Sequence, residues 1–385
     1  MSNNSSEYFC TLNVTDNCTR RGGPGDVNVV VDVIATLLQI IICIAGLFGN
    51  GLVIFVILRY AKMKTVTNMY ILNLAVADMS FLIGLPLLIV TMFKKYWIFG
   101  VHVCKIFLIL TSTNWFTSVF SLAVMGTDRY LAVCHPITSM RYRTPLISKL
   151  VCLGVWTLSL LVMVPVILYA NLYWDRDGLP RCTILWPSGQ PIPPDKAFVW
   201  YTFLLAFAIP VSLIVVFYSL VLARLKRVGP HMKQSKEKKK SHRKVTRMVL
   251  TVIAVYVICW LPFWIFQVHL TFLSKENSSA EKGRAKIIIM QFLTVFSYAN
   301  SMLNPILYAF LSDNFRKSFA KAFKCSAAAD VNSALTVETS VLPRRTQQNS
   351  NRSCNVNEIP SDDDDIDIGN HDKMELANLN SRSIH

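Results

Sequence analysis

Charge is what this sequence has least of. Asp, Glu, Lys and Arg make up 16% of its 385 residues, against about 25% in soluble globular proteins. The shortage is uneven. Val33–Leu58, Ile106–Thr127, Leu150–Trp174, Ala197–Ala223, Met248–Ser274 and Ile287–Ser312 contain none of these residues, and Thr65–Phe93 contains Asp78 alone. That distribution excludes a single water-soluble domain. Acids are also outnumbered by bases, 23 to 39, for a net charge of +16. Such an excess suits either nucleic acid or an anionic membrane face. The apolar runs decide for the lipid bilayer, with no nucleic-acid partner.

Other absences narrow the chemistry. No Cys/His spacing fits zinc, and no nucleophile–base or metal pair marks an intramembrane enzyme. Repeated halves or interrupted helices around a midplane site, the pattern of a transporter, are missing. The runs do not alternate polar with apolar residues, as strands of a membrane barrel would. No cleavable signal peptide is expected, because the first apolar stretch begins past residue 26 and is too long for one. That stretch is expected to act as an uncleaved anchor.

What is present is seven runs, each longer than the roughly 20 residues a helix needs to cross the hydrocarbon layer. The expected fold is an all-α membrane protein: a seven-transmembrane helix bundle with a short amphipathic eighth helix. The chain divides into an extracellular glycosylated tail (1–30), the bundle (31–311), a membrane-surface helix (312–325) and a disordered cytosolic tail (326–385). With the N-terminus outside, the inner segments hold 22 Lys and Arg and the outer ones 12, in line with the positive-inside bias. Asn-x-Ser/Thr sites at Asn3, Asn4, Asn13, Asn17 and Asn277 fall on the same outer side and are expected to be glycosylated. The chain is placed in the plasma membrane, crossing it several times.

Cysteine usage follows the compartments. Cys104, at the outer end of the third run, and Cys182, in the next outer loop, both face an oxidising space, so a bridge between them is permitted. Cys43, Cys152 and Cys259 fall inside runs and read as small apolar side chains. Cys10 and Cys18 are free either to pair or to stay single. Phe315, Phe319 and Phe323 recur every four residues among Arg316, Lys317, Lys321 and Lys324, with Ser312 and Asp313 placed to cap the start. This is the membrane-surface helix, and Cys325 after it is a palmitoylation candidate.

Polar groups inside the bilayer carry functional information, because burying them costs free energy. Asp78 is the sole mid-membrane carboxylate. Asn114 and Ser118, four apart, share a face of the third helix; Asn300, Ser301 and Asn304 lie on the seventh. Convergence of these faces builds an oxygen-rich chamber suited to a small hard cation such as sodium, to ordered water, or to packing without an ion. Asp128-Arg129-Tyr130 ends the third helix, where Arg129 can be held by a local ion pair and then released. Pro86, Pro165, Pro210, Pro262 and Pro305 each remove a backbone donor and can bend their helices.

This set resembles the rhodopsin-like G-protein-coupled receptors over residues 30–325. The matching residues are Gly49-Asn50, Leu74 to Asp78, Asp128-Arg129-Tyr130, Trp156, Pro210 with Tyr218, Cys259-Trp260-Leu261-Pro262, and Asn304-Pro305-Ile306-Leu307-Tyr308. YANSMLNPILYAFLSDNFRKSF at Tyr298–Phe319 is similar to the somatostatin and opioid branch. CTILWP at Cys182–Pro187 leans to the somatostatin side, and within it the allatostatin-C receptors of insects are the nearest likeness.

The resemblance implies a receptor, not an enzyme, for an extracellular neuropeptide of cyclic allatostatin-C or somatostatin type. An opioid-like or galanin-like peptide is the alternative. It implies a heterotrimeric G protein of the Gi/o class as partner, and arrestin after tail phosphorylation at Ser333, Thr336, Thr339 and Ser340. Trp260 and Pro262 would act as the pivot, Tyr218 and Tyr308 would stabilise an opened inner face, and Pro305 belongs to the same switch. Tyr298 stands where a photoreceptor keeps its Schiff-base lysine. One departure matters: the branch usually places an aspartate seven residues after the third-helix cysteine, and here that residue is Thr111. The ligand is therefore not expected to bury a cation. Its pocket is expected to be lined by Thr91, Thr111, Trp115, Phe263, Trp264, Gln267 and Met290, with Phe292 or Tyr298 from the last helix. Asp175, Asp177, Glu276 and Glu281 on the outer side are placed to attract a basic peptide.

Overall fold

A computed structural model describes residues 26–227, 236–273 and 280–323, with side chains at 30–224, 244–273 and 285–323. The expected glycosylation sites, Cys10, Cys18, Cys325, the phosphorylation sites, Glu276 and the side chain of Glu281 all lie outside these described residues. Met1–Ala320 forms one compact unit and Lys321–His385 a second; of the latter only 321–323 are described.

Among the described residues, seven helices are long and apolar enough to cross a membrane: Val30–Arg59, Val66–Lys94, Gly100–Cys134, Pro145–Val162, Pro194–Arg224, Lys244–Phe272 and Ala285–Leu311. We call these the first to seventh spans. In finer detail the elements are α1 (Asp26–Arg59), α2 (Val66–Leu82), α3 (Leu85–Lys94), α4 (Gly100–Cys134), α5 (Pro136–Tyr142), α6 (Pro145–Val162) and α7 (Val164–Tyr169). After the strands β1 (Ala170–Trp174) and β2 (Pro180–Ile184) come α8 (Pro194–Phe203), α9 (Ile209–Arg227), α10 (Lys236–Phe272) and α11 (Ala280–Leu311). Residues 313–323 are helical again.

The prolines do different things. Pro86 and Pro165 sit in the first turns of α3 and α7, just past breaks in the second and fourth spans, where a missing N–H costs least. Pro210 follows a π-turn at Leu204–Ala208. Its widened backbone is tied to the sixth span, because the Tyr256 hydroxyl donates to the Ala206 carbonyl at 3.1 Å. Pro262 and Pro305 lie inside continuous helices.

The spans are fastened by buried polar side chains. Asn50 donates to the carbonyls of Gly46 and Ser301, each at 2.9 Å, joining the first and seventh. Trp156 donates to Asn73 at 2.9 Å and Asn73 to Ser121 at 2.8 Å, joining the fourth, second and third. Glycine permits the closest approaches: a Cβ on Gly49 would stand 3.0 Å from Pro305, and one on Gly46 would stand 2.6 Å from Leu82.

The fourth apolar run was expected to continue helically to Trp174, but the helix stops at Tyr169. Ala170–Trp174 instead pairs antiparallel with Pro180–Ile184, Leu172 opposite Cys182. The turn between them is closed by Asp175, whose carboxylate accepts from the Asp177 amide at 2.7 Å and from Arg181 at 2.8 Å. These donors hold its pKa below the usual carboxylate value, the Asp177 amide acting most strongly. The permitted bridge is present: Cys182 is bonded to Cys104, which fixes the hairpin at one mouth of the bundle.

At the opposite end, Phe315 and Phe319 are buried, and Phe315 lies 5.6 Å from Tyr308, ring centre to ring centre. Asp313 was expected to cap this helix. Its carboxylate is taken instead by the side chains of Lys244 and Arg316, which lower its pKa, Lys244 first.

Candidate functional site

Among the described residues, polar side chains gather around Asp78 and around Arg129, and aromatic side chains enclose a cavity lined in part by Trp260. Near the disulfide-bearing mouth, a cavity of about 30 Å³ is lined by Thr111, Trp115, Phe263 and Tyr298 from the expected set. Its other walls are Phe81, Leu88, Phe107, Trp260, Thr294 and Ser297. Tyr298 stacks on Phe81 with ring centres 4.1 Å apart and planes 6° from parallel. Helical spacing was the signal that could have found the rest, since Phe81 is one turn from Asp78 and Thr294 one turn from Tyr298.

The structure does not bring the other expected lining residues to this cavity. Thr91 is buried and spends its hydroxyl on the Leu87 carbonyl at 2.7 Å. Gln267 and Met290 are buried outside the lining. Phe292 faces outward, 38% exposed. Trp264 reaches Trp115 but not the cavity wall. It instead lines a larger hollow of about 510 Å³ between the fifth and sixth spans, with Phe203, Phe207, Ile265 and Phe272. That hollow is on the apolar flank of the bundle, away from Asp78 and Arg129.

At mid-bundle, Asp78 is fully buried. It accepts from the Ser301 hydroxyl at 2.7 Å and the Asn304 amide at 2.8 Å. The two faces expected to converge here do so only partly. Asn114 donates to the Ala77 carbonyl at 2.8 Å, beside Asp78 rather than to it, and Ser118 donates to Asn114 at 3.4 Å. Asn300 is buried, yet its side-chain oxygen has no partner. The Asn114 amide is spent on the backbone carbonyl of the residue before Asp78, and Ser118 on Asn114, so neither is bonded to the carboxylate.

A family profile described as 7 transmembrane receptor (rhodopsin family) matches residues 49–308, the stretch that carries every one of these groups. The chain belongs to that family. It is similar to somatostatin receptor type 2 of Mus musculus, 46% identical over 286 residues, 74% of this chain and 76% of the relative. Somatostatin receptor type 5 of Rattus norvegicus is 45% identical over 293 residues, covering 75% and 77%. Somatostatin receptor type 1 of Mus musculus is 40% identical over 313 residues, covering 80% and 75%. The protein is thus a multi-pass receptor of the plasma membrane, of a kind that signals through a G protein and is not an enzyme.

The receptor's second polar centre is at the far end of the third span. Asp128 and Arg129 form a buried ion pair, their side chains 3% and 6% exposed. Two partners were not foreseen. The Thr67 hydroxyl accepts from the Arg129 guanidinium and also approaches Asp128. Arg143, just past α5, donates from Nε to the other Asp128 oxygen at 2.7 Å. Asp128 therefore serves two cations. Tyr130 turns away from this group, to His135 and to Phe217 at 5.6 Å. Tyr218 and Tyr308 are buried with unpartnered hydroxyls. Trp260 packs on Tyr256 at 6.2 Å and on Phe263 at 5.7 Å.

Proposed function

We propose that this receptor binds an extracellular cyclic peptide of the allatostatin-C or somatostatin type and signals through Gi/o-class G proteins. The observation that carries this reading is the 46% identity to a somatostatin receptor over three quarters of both chains, joined to a cavity in which Thr111, one of three third-span residues in the lining, stands where the branch usually has a carboxylate. The N-terminus and the disulfide mouth face outward; the Arg129 end faces the cytosol.

Binding favours an active arrangement and shifts the population towards it. Trp260 repacks, the sixth span swings about Pro262, and Arg129 leaves Asp128 and Thr67. The free hydroxyls of Tyr218 and Tyr308 then take partners at the opened inner face, where the G protein inserts. Arrestin follows phosphorylation of the tail. Asparagine glycosylation of the outer segments and palmitoylation of Cys325 belong to the same reading.

A sodium ion fits the centre around Asp78. That carboxylate has no cationic partner among the described residues, and the side-chain oxygen of Asn304, whose amide it accepts from, is buried without a donor. Oxygen ligands around one negative charge are what a hard cation takes. When bound, it would supply the missing positive charge. Asp78, Ser301 and Asn304 hold their geometry by the hydrogen bonds already given.

The test is a screen of cyclic neuropeptides by G-protein activation, repeated on Thr111→Asp. A carboxylate there would pair with a ligand ammonium through charge-assisted bonds of about 1.5–3 kcal/mol. Lysine-bearing peptides should gain about 10–100-fold in potency. Strong activation of the unmodified receptor by biogenic amines would count against the reading.

A further inference from the structure

The cavity near the disulfide mouth is small because one side chain fills its floor. Trp115 is 8% exposed. Its ring stands 6.5 Å from Trp260, 6.3 Å from Phe263 and 5.9 Å from Trp264, edge-on or tilted to each. The box closes on itself, with Trp260 to Phe263 at 5.7 Å and Phe263 to Trp264 at 5.3 Å. Edge-to-face contacts at these separations are attractive beyond the area they bury. The remaining 30 Å³ has room for about two waters and for no larger side chain.

Thr111 and Trp115 are four residues apart in α4 and so one above the other on a single face. Thr111 is the nearer to Cys104. A ligand entering from that mouth meets the Thr111 hydroxyl first, which has no partner, and then the Trp115 ring. The indole N–H groups of Trp260, itself a wall of the cavity, and of Trp264 are also unpartnered, so the box around Trp115 holds unused hydrogen-bonding capacity.

We infer that Trp115 is the specificity-determining residue for ligand depth: its indole occupies the floor that a bulky ligand side chain would otherwise fill. The peptide's deepest side chain is therefore small, or rests on the rim formed by Thr111 and Tyr298. This rests on assigning the cavity to the peptide, as above. Replacing Trp115 by Ala would leave a hole on the order of 150 Å³, the size that stays dry and holds a small aromatic molecule in an engineered core.

Two measurements on the purified full-length receptor test this. In the first, free indole is titrated against wild type, Trp115→Ala and the milder Trp115→Leu, reading thermal unfolding. Indole at tenfold its Kd should raise the Tm of the variants by about 3 °C and leave wild type unmoved. Equal shifts in all three proteins, or none in either variant, overturn the inference; Trp115→Leu decides alone if the Ala variant does not fold.

In the second, cyclic somatostatin-class peptides carrying Ala, Phe or Trp at the apex are compared in G-protein activation. Wild type should prefer Ala, and the variant should reverse the order by at least tenfold. An unchanged order overturns the inference. If no peptide activates wild type, the ligand assignment fails, while the indole measurement still decides whether Trp115 fills an aromatic site.

Discussion

Arg143 should help the receptor switch on, against the ordinary expectation that an ion pair at this end of the third span locks it off. The argument starts from the Asp128 side chain, only 3% exposed. If Arg129 left and nothing else stood by, the receptor would strand a buried carboxylate, at a cost of about 3–5 kcal/mol. Arg143 does stand by, 2.7 Å from the other oxygen and 28% exposed. Charge-assisted bonds of this type contribute about 1.5–3 kcal/mol, and the partial exposure of Arg143 places it near the low end through screening.

Arg143→Gln takes one of two cations from Asp128 while Arg129 is in place but the only one once Arg129 has left, so the expected effect is a net loss of about 1.5 kcal/mol from the active arrangement, close to tenfold in its population. Basal nucleotide exchange should fall about tenfold, and the agonist concentration for half-maximal exchange should rise. Thr67→Val must act with the opposite sign, since it removes an acceptor that holds Arg129 in place; basal exchange should rise about fivefold for roughly 1 kcal/mol. On an Asp128→Asn background no carboxylate needs a partner, so Arg143→Gln should do nothing more. The assay is GTPγS binding on reconstituted receptor at matched expression. A rise in basal exchange with Arg143→Gln, or an undiminished effect on the Asp128→Asn background, would refute the reasoning.

Three further outcomes are expected. Replacing choline by sodium should raise the Tm of wild-type receptor by about 3 °C at tenfold Kd and leave Asp78→Asn unmoved; equal shifts would remove the ion from the Asp78 centre. The depressed pKa of Asp175 means that its contribution to the hairpin is complete above the unfolded value of about 3.9 and is lost as pH falls through the lower folded value. Amide protection at Gly178 should thus hold from pH 8 to pH 5 and weaken only below about pH 4, with Asp175→Asn lacking that acid limb. Cys104→Ser opens a link between residues 78 apart, worth about 4.5 kcal/mol in chain entropy. Cys104→Ser/Cys182→Ser should melt where the single variant melts, and a clearly lower value for the double would show that the cysteines act separately.

The seven spans were legible because the bilayer leaves so few choices. A backbone without water must satisfy its own hydrogen bonds, so an uncharged run of sufficient length is already a helix. What the same rule cannot locate is where a run leaves the hydrocarbon. Leu150–Trp174 reads as unbroken apolar sequence, yet Pro165 follows a break at Met163, and Ala170–Trp174 finds hydrogen-bond partners in Pro180–Ile184. Those partners lie beyond a turn whose chemistry, Asp175 to Gly178, is local and polar. The hairpin could have been read from that turn; hydropathy alone hid it.

The polar centres divide along a similar line. Asp78 stood out because a lone carboxylate in an apolar run is costly, and its partners Ser301 and Asn304 shared one helix face. Arg143 carried no comparable signal. In sequence it is one of four basic residues between Arg129 and Lys149, and counting them as inner-side charge explains all four without giving any a task. Only the short α5, which turns the chain back under the third span, sets Arg143 beside Asp128. A charge in a surface loop looks dispensable until its buried partner is known, and that partner comes from packing between elements rather than from periodicity within one. Thr67 was hidden in the same way. The residues that flank the Asp128–Arg129 pair are therefore harder to read than the pair itself, because burial makes an ionisable group conspicuous while a compensating neighbour at the edge resembles every other charge.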